Sequence, residues 1–236
     1  MTSKELEVSV PVGDAVLEGT LGIPDRPHGV VLFAHASGSN RRSPRNRYVA
    51  SHLQTHGLAT LLLDLLSVDE EEEERWIRHL RYDEDETEPW RHHLDLEVRT
   101  FADRLIGASE WLLENERALA PGIAYFGAST GAAVVLLAAA KTPYLVGAIV
   151  SRGGRPEFAA DQLSQVRAPT LLIVGGDDRW VIETNRQALA ALGGEKDLRI
   201  VPRATHLFEE PGALDAVAHL ATTWYGDHLA ASGRAM

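Results

Sequence analysis

The sequence predicts an α/β chain, with a mostly parallel, twisted sheet of about eight strands and helices on both faces. Three observations carry that expectation. Short apolar runs without polar alternation (Gly29–Ala34, Ala59–Leu63, Ile123–Phe126, Val146–Ser151 and Thr170–Val174) have the length and composition of strands buried on both faces. Stretches of helical periodicity separate them, the longest being Leu94, Val98, Phe101, Leu105, Ser109 and Leu112. Small or polar residues follow the runs, and a parallel sheet of this kind collects its function at the carboxyl ends of its strands.

The elements follow in order. Lys4–Val10 and Ala15–Gly22 alternate in part around Pro11-Val12-Gly13-Asp14 and read as an antiparallel hairpin at a sheet edge. Pro24 to Pro27 is a turn, and Gly29–Ala34 is the first interior strand. A small, polar stretch, His35 to Pro44, leads into a helix that Ser43 can cap and Pro44 can open. Tyr48, Val49, Ala50 and Leu53 give that helix an inner face, and Gly57 stops it. After the Ala59–Leu63 strand comes an acidic insert, 65–91, in which Trp76, Ile77 and Leu80 fall at helical spacing. It is a candidate partial lid or a solvated loop. The long stripe from Leu94 precedes the strand at Ile123. Further on, a short helix follows Pro156, another helix runs to about Leu192, and Leu198–Val201 is the last strand. Pro211 opens a terminal helix packed through Leu214, Val217, Leu220 and Trp224. The whole chain, 1–236, reads as one domain.

Composition narrows the function classes. With 44% hydrophobic residues in 236, a sizeable core can form. The formal net charge is −11, which argues against nucleic acid, because backbone binding needs a basic surface. The segment from Asp69 to Glu88 alone carries −8 of it. Cysteine is absent, which excludes disulfides, thiolate metal sites and a cysteine nucleophile. The start, MTSKELEV, has no apolar leader segment, and no run approaches the roughly 20 apolar residues of a membrane span. The expectation is a soluble cytoplasmic protein without a membrane partner, with a homodimer left open.

Chemistry concentrates at Gly127-Ala128-Ser129-Thr130-Gly131, a G-x-S-x-G pattern between the Ile123 strand and an Ala/Val/Leu helix. A serine in so tight a strand-to-helix bend has its hydroxyl pushed above the sheet edge. Flanking glycines allow the close packing that a Cβ would block. Serine needs a base to take its proton, and the base needs a carboxylate to fix its tautomer. Two later strand exits supply those types: Asp177 and Asp178 after Thr170–Val174, and His206 after Leu198–Val201. The chain order Ser, Asp, His is that of an α/β hydrolase. Thr130, the residue after the nucleophile, is the expected backbone oxyanion donor. His35 is a candidate for shaping the oxyanion loop. His92 and His93, near Asp95, point apart on a helix and read as solvated, so no metal is expected.

On these residues the chain resembles the α/β-hydrolase superfamily, and most closely its small dienelactone-hydrolase-related bacterial branch. The matching stretches are GASTG at 127–131, GGDDRWV at 175–181, THLFEEPG at 205–212 and HASGSNRRSPRNR at 35–47. The resemblance spans Gly29 to Tyr225 and implies an α/β-hydrolase fold without a large cap domain. Its G-x-x-D-x-x-V frame, met by Gly175, Asp178 and Val181, favours Asp178 over Asp177 as the acid. It places the second oxyanion donor at Ser37 or Ala36. Two departures matter. Typical dienelactone hydrolases carry cysteine where Ser129 stands, and the usual cap insertion after Val146–Ser151 is absent. These point to a general ester, thioester or lactone as the small-molecule substrate, cleaved without a cofactor. Arg152 and Arg155 leave a strand at the active edge, and either is a candidate for a substrate carboxylate. Relatives of this branch occur beside or fused to phosphoribosyltransferase domains, so a binding or regulatory module is an alternative. Acyl transfer or carbon–carbon cleavage on the same triad is another.

Overall fold

A computed structural model of the chain describes residues 3–35, 39–72, 88–115 and 122–232. Eight strands form one sheet: β1 (Lys4–Val12), β2 (Ala15–Ile23), β3 (Val30–Ala34), β4 (Ala59–Leu63), β5 (Ile123–Ala128), β6 (Val146–Arg152), β7 (Thr170–Gly175) and β8 (Lys196–Val201). Their spatial order is β1-β2-β4-β3-β5-β6-β7-β8. The β1–β2 hairpin joins β4 antiparallel, and every other pairing is parallel. The helices are α1 (Pro44–Thr55), α2 (Glu88–Asn115), α3 (Thr130–Lys141), α4 (Arg179–Ala191) and α5 (Ala213–Ser232), with a 3-10 segment at Pro156–Gln165.

The apolar runs are continuous because their two faces meet different helices. Val30, Leu32 and Ala34 of β3, with Tyr125 of β5, pack against α2 and α3. Val31 and Phe33, with Phe126, pack against α1 and α5. Each of the valine, leucine and phenylalanine side chains among these, fully buried, contributes about 1.5–3 kcal/mol. The α2 stripe from Leu94 to Leu112 is buried at all six expected positions. Tyr225 of α5 packs on the face that holds Phe33 and Phe126, its hydroxyl donating to the Tyr125 backbone carbonyl at 2.7 Å. The Tyr125 hydroxyl meets that of Ser109 at 2.8 Å, so the polar position in the α2 stripe has a partner.

Several expectations shift in detail. The hairpin turn is two residues, Gly13-Asp14, and β1 runs through Pro11 to Val12. Proline is tolerated there because β1 is the edge strand and one row of its N–H groups needs no partner. Ser43 occupies the N-cap of α1, but its side chain makes no capping hydrogen bond. The helix through Trp76, Ile77 and Leu80 lies outside the described residues. Of the acidic insert's described part, Glu70 is tied to α2 by Arg104 at 2.6 Å. Among the described residues, no helix is long and apolar enough to cross a membrane.

Candidate active site

The site is built at the carboxyl ends of β3, β5, β6, β7 and β8. At the end of β5 the chain turns within one residue from strand to helix, and Ser129 takes φ 54° and ψ −123°. A non-glycine residue rarely adopts positive φ, so the surroundings must hold it. They do so from the end of β6: Ser129 N–H donates to the Arg152 carbonyl at 3.1 Å, and the Arg155 N–H donates to the Ser129 carbonyl at 3.0 Å. The two glycines are close-approach positions. A Cβ on Gly127 would lie 2.7 Å from Ala132 Cα, and one on Gly131 would lie 2.9 Å from the His35 carbonyl oxygen. Thr130 is the first residue of α3. Ser37 and Ala36, the candidates for the second oxyanion donor, lie outside the described residues.

Asp178 stands at the N-cap of α4 but makes no side-chain cap. Its Oδ2 lies instead 2.7 Å from His206 Nδ1. Asp177 is exposed, its backbone N–H donating to the Ala204 carbonyl. The approach of the histidine loop requires Gly175, since a Cβ there would fall 2.6 Å from the Thr205 carbonyl oxygen. The imidazole also borders the serine's brace. A Cβ on Gly153, next in chain to Arg152, would sit 3.6 Å from His206 Cε1. Asp178 and His206 are thus paired, and the imidazole borders the segment that braces Ser129, while no hydrogen bond joins the Ser129 hydroxyl to the imidazole. In hydrolases generally, the contact between a serine and its base is often long before substrate binds.

The two arginines part ways. Arg155 is committed to Glu157, with Nε 2.5 Å from Oε1, and its guanidinium lies over the Trp180 ring at 4.7 Å. Arg152 is 7% exposed and lies 5.9 Å over Phe208. Burial pulls its guanidinium down to about 10, with the charge of Arg45 adding to the effect, so it stays charged at neutral pH. His35 is 5% exposed, accepts the Leu65 N–H at Nε2 (3.2 Å), and so ties the end of β3 to the chain after β4. His92 is exposed while His93 is half-buried. Among the described residues no group of three or more histidine, aspartate or glutamate side chains is arranged to hold a metal ion.

Sequence reasoning missed Asn185. It is fully buried on α4, and its amide donates to the carbonyls of Gly154 (2.9 Å) and Val181 (2.8 Å). It thereby holds the 152–155 segment that braces Ser129. The available signal was its place on the inner stripe of α4, one turn from Val181 and nearly one from Ala188.

The model of the dienelactone hydrolase family matches residues 17–227. The chain belongs to the dienelactone hydrolase family. A dienelactone hydrolase structure from Anabaena variabilis is 51% identical, with a TM-score of 0.86 over 97% of this chain and 99% of that one. Est1E from Butyrivibrio proteoclasticus shares the fold, with a TM-score of 0.75 at 14% identity over 95% of this chain and 99% of its own. A protein of Mycobacterium tuberculosis (strain H37Rv), provisionally named a phosphoribosyl transferase, is 45% identical over 230 residues. That match takes in 98% of this chain and 48% of the relative, so the chain spans about half the length of the curated relatives it matches.

Proposed function

We propose that this chain is a serine hydrolase that cleaves a carboxylic ester, thioester or lactone through an acyl-enzyme. The observation that carries the reading is the contact of His206 Nδ1 with Asp178 Oδ2, beside a serine held at positive φ. Ser129 Oγ attacks the substrate carbonyl carbon, and His206 Nε2 takes the hydroxyl proton. Asp178 fixes the imidazole with Nδ1 protonated and stabilises its charged form. The tetrahedral oxyanion is met by the backbone N–H of Thr130 and by a donor from the loop after β3, at Ser37 or Ala36. Collapse breaks the bond to the leaving oxygen or sulfur, which receives the proton from His206. Water then attacks the acyl-serine, His206 takes its proton, and the acid is released with the Ser129 hydroxyl restored. Each step balances without a metal or an organic cofactor.

A chain-length series of p-nitrophenyl esters and simple lactones tests this, with wild type beside Ser129→Ala. The expected result is turnover by wild type and a loss in kcat of several orders of magnitude in the variant. Equal turnover by both would reject the role of Ser129. The doubled length of the Mycobacterium relative favours a second reading, in which the fold serves as a partner module. In that case neither protein would turn over any member of the series.

A further inference from the structure

Resting on that reading, we infer that Trp180 is a stacking platform for an aromatic leaving group, so that the favoured substrates are esters or thioesters whose leaving alcohol or thiol carries a flat aromatic ring. Trp180 is the second residue of α4, two residues after Asp178, and so stands where β7 delivers the acid to the rim. A second tether comes from the serine side. The Arg155 N–H donates to the Ser129 carbonyl at 3.0 Å, and the guanidinium of the same residue lies over the Trp180 ring at 4.7 Å. One arginine thus spans from the elbow to the indole. Glu157 pairs with its charge, and it also meets the Phe158 ring at 5.1 Å, so it is held in place.

Single apolar side chains on a surface are ordinary. Trp180 differs in being fixed. Arg155 covers one face of the indole by cation–π attraction, and among the described residues no other ring or cation meets Trp180. Trp180 nonetheless stays 52% exposed, so its other face is open to solvent. A ring held flat loses little freedom when a ligand lands on it. Leu207, next to His206, is 42% exposed and adds a second apolar group at the same rim. The sheet order β5-β6-β7-β8 decides what these groups would touch. Ser129 follows β5, whereas Trp180 follows β7 and Leu207 follows β8. His206 gives its proton to the leaving atom in the proposed mechanism, so the group on that atom lies on the β7–β8 side of the serine, with Trp180. A flat aromatic group there would leave water and stack, where an alicyclic group of similar size gains burial alone.

Benzyl acetate and cyclohexylmethyl acetate share an acyl group and a carbon count, and differ in the flat ring. The ratio of their kcat/KM values is measured in wild type, Trp180→Ala and Trp180→Phe. It should fall by about two- to tenfold in Trp180→Ala, chiefly through KM. Trp180→Phe, which retains a ring, should keep most of it and covers the case of a misfolded alanine variant. A series of acyl groups on one leaving group should keep the same ranking in each protein. Binding is read apart from the chemistry in Ser129→Ala protein, by quenching of tryptophan fluorescence with p-nitrobenzyl alcohol. Saturable quenching is expected, and its loss in Ser129→Ala/Trp180→Ala. An unchanged ester ratio in folded Trp180 variants, a changed acyl ranking, or saturable quenching that survives the loss of Trp180 overturns the inference. Full activity in Ser129→Ala would instead overturn the hydrolase reading and leave the quenching result standing.

Discussion

His206 Nδ1 lies 2.7 Å from Asp178 Oδ2 across 28 residues of chain, while Asp177, one residue earlier, points its carboxylate to solvent. The pairing falls on the acid that the G-x-x-D-x-x-V frame favours and leaves its neighbour out. Asp178→Asn should lower kcat by on the order of 10³–10⁴, because the imidazole loses the partner that fixes its tautomer. Asp177→Asn should stay within a few-fold of wild type. Steady-state kinetics on one activated ester decides between them, and a reversed ranking would contradict the assignment.

The elbow depends on the absence of a Cβ at Gly131, where the nearest neighbours are the backbone of Ala34 and His35. Backbone at the end of a central strand cannot move aside as a flexible side chain can. Gly131→Ala should destabilise the fold by roughly 1–3 kcal/mol and lower activity by displacing Ser129. Urea denaturation gives the first quantity. A variant as stable and as active as wild type would show that the elbow is looser than described.

Tyr225 is fully buried, and burial pushes its hydroxyl well above the usual tyrosine range while it donates to the Tyr125 carbonyl. Tyr225→Phe removes that one hydrogen bond and little volume. The expected loss is about 1–3 kcal/mol, since the buried carbonyl loses a donor. A change of only a few tenths in the denaturation free energy would mean that strand pairing alone satisfies that carbonyl.

Acid should weaken the fold at two places. The hydrogen bond from Arg104 holds the Glu70 carboxyl down to about 2, against an ordinary value of 4.5. A depressed carboxyl stabilises the fold in full above its ordinary value, and the gain is lost as pH falls from about 4.5 to about 2. Glu70 is partly exposed, so solvent screening keeps its share small. His52 on α1 is held below its ordinary value of 6.5, first by burial and then by the neighbouring imidazoles of His56 and His219, with Asp215 opposing. Its ring centroid lies 4.5 Å from that of His56 and 4.7 Å from that of His219. Here the unfolded chain takes up the proton first, so stability falls as pH drops below 6.5. Thermal melts from pH 7 to pH 3 should show a falling Tm, less steep between 7 and 5 in His52→Gln and less steep below 5 in Glu70→Gln. A Tm independent of pH over that range would contradict both.

The strands were legible because burial on both faces leaves an unmistakable mark, as in VVLFA and TLLIV, and the α2 stripe because six buried positions keep one period. Strand ends were less so. β5, β6 and β7 each run past the apolar run into the residues that carry chemistry, such as Gly127, Arg152 and Gly175, which pair by backbone alone. Gly175 and Asp178 could be read from the family frame that the resemblance supplies. The fates of Arg152 and Arg155 could not, because a guanidinium's partner is set by which face of β6 it leaves and by Glu157 nearby. Asn185 escaped for a similar reason: a single polar residue on an inner helical stripe does not announce which carbonyl it holds.

In the proposed mechanism Ser129 is a nucleophile activated by His206. Folded wild-type protein should be treated with a fluorophosphonate probe and the labelled peptide mapped by mass spectrometry. Stoichiometric labelling at Ser129 is expected, abolished in Ser129→Ala and greatly slowed in His206→Ala. No adduct on folded protein, or an adduct at any other serine, would contradict it.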